Sequence, residues 1–388
     1  MAEEVWMLQT KKADFKQIGA RFRIDPVTAR IIRNRGIEGE AAIDRYLNGT
    51  LDDLYDPMLL KDMECAVSIL CEAVDTGKKI RIVGDYDIDG VCSTYILLQA
   101  FERLGSDVDF EIPDRIKDGY GINESIIEQA HADGVEVILT CDNGISAFHQ
   151  VELAKKYGMT VVITDHHEVP LDGEKEKIPP ADAVIDPKQA DCPYPFPEIC
   201  GAVVAYKLVQ VLYARRGVPQ MEWLDLLEFA AIATVGDVMK LQDENRILVK
   251  YGLKKMAQTK NLGLRRLAEK NNLDLGAITA YHIGFVIGPC LNAGGRLKTA
   301  KEALALLRAQ SEEEAERLAE ELKELNDTRK DMTEQGTEAA KLQVESWYQK
   351  DKVLVVFLPE CHESLAGIIA GRLREYYQKP AIVLTRGE

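Results

Sequence analysis

Four stretches of this chain carry acidic and imidazole side chains at spacings suited to metal and phosphate chemistry. They are Gly84-Asp85-Tyr86-Asp87-Ile88-Asp89-Gly90, Asp142-Asn143-Gly144, Asp165-His166-His167 and Asp186-Pro187. Carboxylates gathered in one place repel one another unless a cation lies between them. A mixed carboxylate and imidazole donor set suits manganese, iron or zinc better than calcium. More than four candidate ligands point to two ions. Such a pair bridges a phosphate, lowers the pKa of a bound water and stabilises a leaving oxygen. Asp85, Asp87 and Asp89 before Gly90 also match the start of an EF-hand loop, but its twelfth position is Ile96 rather than Glu, and a strand pattern precedes it. Any one of these aspartates is explained as a helix cap or turn residue. Their repetition at successive strand ends argues for a shared site.

The elements that must position them are legible as well. IRIVGD, VDFEIPD, VEVILTCD, TVVITD and ADAVID are short β-branched runs, mostly separated by helix-length segments. That alternation predicts an α/β fold with a parallel, doubly wound sheet. In such sheets ligands bind beyond the carboxyl ends of the strands, where all the acidic motifs fall. Short helical patterns fill the first eighty residues, and residues 201–307 read mostly as helix. A long connecting helix follows. Ser311 and Glu314 form a capping-box pattern, Leu318, Leu322, Leu325, Arg329 and Met332 keep a helical rhythm, and Gly336 is a weak point. VLVVFLP, SLAGIIAGRLREYY and PAIVLT predict strand, helix and strand, the start of a second α/β domain that is expected to be incomplete at Glu388.

Composition is that of a globular protein, with 46% hydrophobic and 29% charged residues and a net charge of −16. No apolar run has membrane-spanning length and the N-terminus lacks a signal pattern, so a cytoplasmic protein is expected. The eight cysteines form no C-x-x-C pair, which argues against a disulfide framework or a zinc site. His131, His149 and His282 are scattered and read as structural or surface residues. Charge is segregated along the chain. Lys250, Lys254, Lys255, Lys260, Arg265, Arg266 and Lys270 cluster against Glu269 alone, and the opposite bias lies at Glu312–Glu324. The basic run is either a track for a phosphate backbone or a solvated helix face.

GDYDIDGVCST, TCDNGIS and ITDHHE, in that order, resemble the first three motifs of the DHH phosphoesterases, and ATVGDVMKL resembles the fourth, with Asp237 as its ligand. Within that superfamily PDRIKDGYGIN, CPYPFPEICGAVVAYKL, ENRILVKYGL and GPCLNAGGRLKTA are similar to RecJ segments, and CHESLAGIIAGRL resembles the opening of a DHHA1 domain. The resemblance implies an N-terminal leader at 1–78, a DHH catalytic domain at 79–240, a helical part of the core at 241–310, a connecting helix at 311–347 and a truncated DHHA1 start at 348–388, with an OB domain absent.

It also implies roles. Two Mn²⁺ or Mg²⁺ ions are expected, one on Asp85, Asp87 and Asp142 and the other on Asp89, Asp142, His166 and Asp237, with Asp142 bridging. His167 would meet the scissile phosphate, and Asp165 would orient the histidines from behind. Arg115, Arg296 and Arg372 would bind substrate phosphates, with Gly294-Gly295 allowing backbone to approach one. Asp186 stands where the family usually has Asn, and Cys361, Ser364 and Gly371 also depart from its pattern. The implied activity is 5′→3′ hydrolysis of single-stranded DNA to 5′ mononucleotides in repair and recombination. The implied partners are single-stranded DNA, a helicase and a single-strand-binding protein, with no membrane, for a monomeric enzyme. The rival readings are a DHH enzyme for short oligoribonucleotides, pAp, cyclic dinucleotides or pyrophosphate, and a non-catalytic replication scaffold. The long leader speaks against the first, and the intact motif carboxylates against the second.

Overall fold

The computed structural model describes residues 5–8 and 11–387; residues 1–4 and 9–10, within the stretch read for a signal pattern, and Glu388 lie outside the described residues. Ahead of the sheet the chain forms helices α1 (Phe15–Phe22), α2 (Pro26–Asn34), α3 (Glu40–Asn48) and α4 (Met63–Thr76). The five β-branched runs then form one parallel sheet in the order β2-β1-β3-β4-β7. Its strands are β1 (Ile80–Val83), β2 (Val108–Glu111), β3 (Val137–Cys141), β4 (Thr160–Thr164) and β7 (Ala183–Ile185). A short antiparallel hairpin, β5 (Leu171–Asp172) with β6 (Lys175–Glu176), has no counterpart in the sequence pattern.

Alternation along the strands sends Ile80, Ile82, Leu139 and Val162 into one core and Val83, Ile138, Val161 and Ile163 into another. Helices cover both faces. α5 (Ile88–Arg103) packs in the first core, and α6 (Glu124–Ala132) and α7 (Phe148–Lys156) in the second. α8 (Gly201–Arg215), α9 (Gln220–Leu224) and α10 (Leu227–Gly236) follow, and α8 and α10 join α5. The chain reverses its order between β1 and β3. That switch point is where a doubly wound sheet opens a crevice.

One buried polar knot fastens the leader to this core. In α11 (Asp243–Met256), Glu244 is fully buried. Its carboxylate lies 3.1 Å from Lys207 Nζ of α8 and accepts from the Tyr194 hydroxyl and the Tyr55 backbone N–H. Lys207 also donates to the Tyr55 carbonyl (3.2 Å). Every charge in the knot has a partner, as a buried ion pair requires.

α12 (Leu262–Lys270) and α13 (Ala280–His282) lead through a π-helical turn into α14 (Gly288–Leu297) and then α15 (Lys301–Leu307). The long helix α16 (Glu312–Gln343) packs on the core beside the five-stranded sheet through Leu318 and Leu322 and on the C-terminal unit through Ala340. That unit is a parallel pair, β8 (Leu354–Phe357) and β9 (Ala381–Leu384), joined by α17 (Glu363–Tyr377).

Three local expectations need correction. Ser311 accepts from the Glu314 N–H, but the Glu314 carboxylate takes the Gln310 N–H instead of closing the box on Ser311. Gly336 does not interrupt α16. A Cβ there would lie 2.5 Å from Ile369 Cδ1, so the glycine lets α17 pack closely. The basic run is not a free phosphate track. Arg266 pairs with Glu312 (2.8 Å), Arg265 with the same carboxylate (2.5 Å), Lys270 with Glu316 and Glu320 (2.6 Å each), and Lys255 with Asp225. Arg265, Arg266 and Lys270 thus face the acidic run, while Lys255 and Lys260 meet Asp225 outside it.

Candidate metal centre

The loops after β1, β3 and β4 and the end of α10 meet beyond the carboxyl edge of the sheet. Asp87 caps α5, accepting from the Asp89 and Gly90 N–H groups (2.8 and 3.1 Å) through Oδ1, so Oδ2 is not used by the cap. Asp89 is held from the opposite side by the N-terminus of α8, whose Gly201 and Ala202 N–H groups donate to its two oxygens (2.7 and 2.8 Å). Asp142 turns in the left-handed region (φ 61°), which aspartate tolerates better than most residues. Gly201 lies against it. A Cβ there would fall 2.7 Å from Asp142 Cβ, so only glycine lets α8 reach both carboxylates.

Two donor sets result. Asp85, Asp87 and Asp142 offer oxygens mutually within 4.8 Å, and so do the donors of Asp89, His166 and Asp237. His166 Nε2 joins the sets, 3.0 Å from Asp142 Oδ1, 3.4 Å from Asp89 Oδ2 and 3.9 Å from Asp237 Oδ2. Asp142 Oδ1 is buried without a hydrogen-bond partner. Burial, and then Asp87, push Asp85 up to about 7; burial, and then Asp89, do the same for Asp237. Burial with the neighbouring carboxylates also raises Asp87 and, strongly, Asp142. Burial lowers His166, keeping its ring neutral and able to ligate. Crowded carboxylates, an orphaned acceptor and a neutral imidazole fit a divalent cation pair.

His167 is different. Burial pulls its pKa down, but the Asp165 hydrogen bond (2.7 Å to Nδ1) and charge outweigh this and hold it at about 9. The ring is therefore an imidazolium at neutral pH. His167 Nε2 lies 3.2 Å from the Tyr120 hydroxyl, which donates to the Asp142 carbonyl (2.9 Å). A third donor set, Asp142, His166 and His167, requires His167 to give up its proton first. Asp165 also accepts from the N–H groups of Ile145, His166 and His167, but does not touch the His166 ring. It orients one histidine ring rather than two. Asp186 is fully buried next to Asp165, pushed up to about 7 by burial and then by Asp165, with Oδ2 unpartnered.

The arginines form a chain leading away from the carboxylates. Arg115 stacks over Tyr86 (4.0 Å), with Nε buried and unpartnered. Arg296 donates to the Ser364 carbonyl of the C-terminal unit (3.1 Å). Burial, then Arg115 and Arg329, lower its pKa. Arg329 of α16 in turn feels Arg372. Arg372 lies in a groove with Lys341, Tyr376 and three carboxylates, Glu334, Glu338 and Glu375. Arg115 and Arg329 make the Arg296 cation less stable, a repulsion that a bound anion would relieve. The glycines beside Arg296 serve packing instead: added Cβ atoms would meet the Thr299 and Tyr86 carbonyls at 2.8 and 2.4 Å. Tyr120, Gly201 and Arg329 are the members of the site that sequence motifs did not single out. A tyrosine between glycines, Gly119-Tyr120-Gly121, was the available signal for the first.

The model of the DHH family, N-terminal domain, matches residues 79–234. A single-stranded-DNA-specific exonuclease RecJ of Bacillus subtilis is 36% identical over 380 residues, covering 98% of this chain and 47% of its own length. The chain thus spans about half the length of that curated relative. A crystal structure of exonuclease RecJ bound to manganese is 33% identical with a TM-score of 0.75, covering 84% of this chain and 80% of the other. RecJ of Thermus thermophilus in complex with Mn²⁺ is 30% identical with a TM-score of 0.80, covering 96% of this chain and 52% of the other.

Proposed function

This chain belongs to the RecJ family of DHH phosphoesterases, and on that premise we propose that it is a metal-dependent exonuclease that hydrolyses single-stranded DNA from the 5′ end to 5′ mononucleotides. The observation that carries this reading is the meeting of two three-residue donor sets through His166 and Asp142, at the head of an arginine chain. Asp85, Asp87 and Asp142 would hold one Mn²⁺ or Mg²⁺, and Asp89, Asp142, His166 and Asp237 the other. When bound, the pair supplies an activated water and charge neutralisation at the phosphate. His167, kept protonated by Asp165, donates to a non-bridging phosphate oxygen as negative charge builds there. Arg115 and Arg296 hold the terminal phosphate, and Arg329 and Arg372 attract the anionic strand from further out.

Residues 79–240 act as the DHH domain, 1–78 as its leader and 241–310 as the helical part of the core. Residues 311–347 are the connecting helix and 348–388 a DHHA1-type unit. The enzyme works as a cytoplasmic monomer in DNA repair and recombination, alongside a helicase and a single-strand-binding protein.

The test is digestion, with Mn²⁺, of end-labelled single-stranded DNA, duplex DNA, short RNA and pAp. Single strands should be degraded fastest, with mononucleotides released from the 5′ end. Arg296→Ala should slow 5′-phosphorylated strands at least tenfold more than 5′-hydroxyl strands, about the value of one charge-assisted contact. Preference for pAp or short RNA would overturn the DNA reading; equal loss on both DNA ends would remove Arg296 from the terminal phosphate.

Metal binding should release protons. Asp85 and Asp237 ionise near 7 in the metal-free protein, so below that pH the ions must displace protons from them. Mn²⁺ affinity should rise with pH through about 7. The sign for stability is opposite. A carboxyl whose folded pKa is raised weakens the metal-free fold as pH climbs from the ordinary carboxylate range toward about 7. Titration calorimetry in buffers of different ionisation enthalpy measures the released protons, and a buffer-independent heat would contradict the assignment.

The paired basic run sets another expectation. Neutralising Lys254, Lys255, Arg265 and Arg266 together should leave the slope of log affinity for single strands against log salt unchanged within about one unit. A clearly shallower slope would restore that run as a strand track.

A further inference from the structure

A cleft of about 360 Å³ opens on the flank of the catalytic core and shares no lining residue with the carboxylate site. Its lining is mixed, with the nearly buried Tyr95 and Phe229 rings packed at 4.3 Å beneath polar side chains. Glu228 lies in its wall and is only 3% exposed. Glu228 Oε1 accepts from the Thr259 hydroxyl (2.6 Å), whereas Oε2 is buried with no partner. A buried acceptor left unpaired is costly, and a ligand bearing an N–H donor would satisfy it. On the rim Arg103 is paired with Glu222 (3.0 Å) and Arg308 with Glu102 (2.5 Å), while Lys255 and Lys260 share the single carboxylate of Asp225. Lys260 is the looser of the two, 83% exposed and 3.5 Å from Asp225. Two lysines on one carboxylate leave a positive charge over, which an anion would meet. The complementary molecule is a flat ring with an amine at one end and an anion at the other.

The cleft also touches the two helices that carry metal-site carboxylates at their other ends. α5 starts at the Asp87 cap with Asp89 in its first turn, and lends the cleft Tyr95, Gln99 and Arg103. α10 lends it Glu228 and Phe229, and ends at Asp237. Tyr95 is roughly 9 Å along its helix from Asp89, and Glu228 roughly 14 Å from Asp237, at 1.5 Å per residue.

We propose that this cleft is an effector site for a nucleoside 5′-monophosphate, its base amine donating to Glu228 Oε2 and its phosphate held by Lys260 and Lys255. Occupancy ties together the far ends of α5 and α10, and so biases how their carboxylates stand. That the effector is the enzyme's own product rests on the exonuclease reading; the binding itself does not.

The test is titration calorimetry of the 388-residue chain in EDTA with dGMP, whose base carries an exocyclic amine, and with purine 2′-deoxyriboside 5′-monophosphate, whose base carries no N–H donor. The expected result is saturable dGMP binding at least tenfold tighter than that of the unsubstituted purine nucleotide. Lys260→Glu, at an exposed position that cannot compromise folding, should weaken dGMP at least tenfold. Glu228→Gln should erase the preference for dGMP. Arg296→Ala, in the other cleft, should change neither. The proposal is overturned by an absence of saturation up to about 1 mM, a weak affinity on the usual scale. It is overturned equally by equal affinity for the two nucleotides, or by binding that ignores Lys260→Glu and disappears in Arg296→Ala. Tight dGMP binding by a chain that digests no DNA would sink the exonuclease reading and leave the site standing.

Discussion

Asp142→Ala should reduce metal-dependent turnover by on the order of a thousandfold or more. Asp142 stands where the two donor sets meet: it belongs to the set with Asp85 and Asp87, and its Oδ1 is 3.0 Å from His166 Nε2, which belongs to the other. On the proposed bridging arrangement its loss would take a ligand from both positions. Substituting Asp85 or Asp237 touches one set each, and the loss should be smaller. A second readout separates this role from a structural one. Buried Asp142 is repelled by Asp89, Asp87 and Asp85 and lacks a hydrogen-bond partner for Oδ1, so its carboxylate strains the metal-free fold. Asp142→Ala should therefore melt higher than the parent protein in EDTA, while losing the stabilisation that Mn²⁺ gives the parent. Near-normal turnover, or an unchanged Mn²⁺-induced shift in Tm, would show that the sets do not share this residue.

Glu244→Leu should destabilise the protein by about 3–5 kcal/mol, the usual result of stripping one partner from a buried ion pair. Lys207, 1% exposed, would be left without its carboxylate partner, with the Tyr55 carbonyl and the face of the Tyr194 ring to meet it. Tyr194 would lose its acceptor as well. Adding Lys207→Met to Glu244→Leu should recover most of the loss, because replacing a whole buried pair by apolar groups is often close to neutral. Residual cost should come from the Tyr194 hydroxyl. Denaturant midpoints of the two single variants and the double variant measure this coupling. Additive single effects would mean that Lys207 and Glu244 are stabilised independently, and that the leader is fastened elsewhere. The knot joins Tyr55 of the leader to α8, whose first residues hold Asp89, so the variant should also become more sensitive to proteolysis within 1–78.

Local chemistry was enough to find the strands and the motifs at their ends. Arg81-Ile82-Val83 and Val161-Val162-Ile163 advertise strands by β-branching, and the turns after them are written in Asp and Gly. Charge runs were easier to misread. The cations of α12 looked like a surface for phosphate because a sequence displays one run at a time, whereas Glu312, Glu316 and Glu320, about fifty residues later, lie against them. Gly336 misled for a similar reason: glycine's weak helix propensity is an intrinsic property, and its contact with Ile369 is not.

By itself, then, the sequence determined the elements and the chemical inventory of the site. Helix and strand patterns, and the donors Asp85, Asp87, Asp89, Asp142, His166 and Asp237, depend on residue type and short spacing, which are local. Tertiary structure alone decided how that inventory is divided. It placed Gly201 against Asp142, aimed the start of α8 at Asp89, split the two histidines into a neutral ring and an imidazolium, and drew Arg329 into line with Arg296 and Arg372. Most of these facts join residues tens to more than a hundred positions apart. Even adjacent His166 and His167 differ because burial prevails at the first and the Asp165 hydrogen bond and charge prevail at the second. A pKa or a close approach is set by what surrounds a group in space, and burial and Coulomb interactions fall off with distance through the fold rather than along the chain.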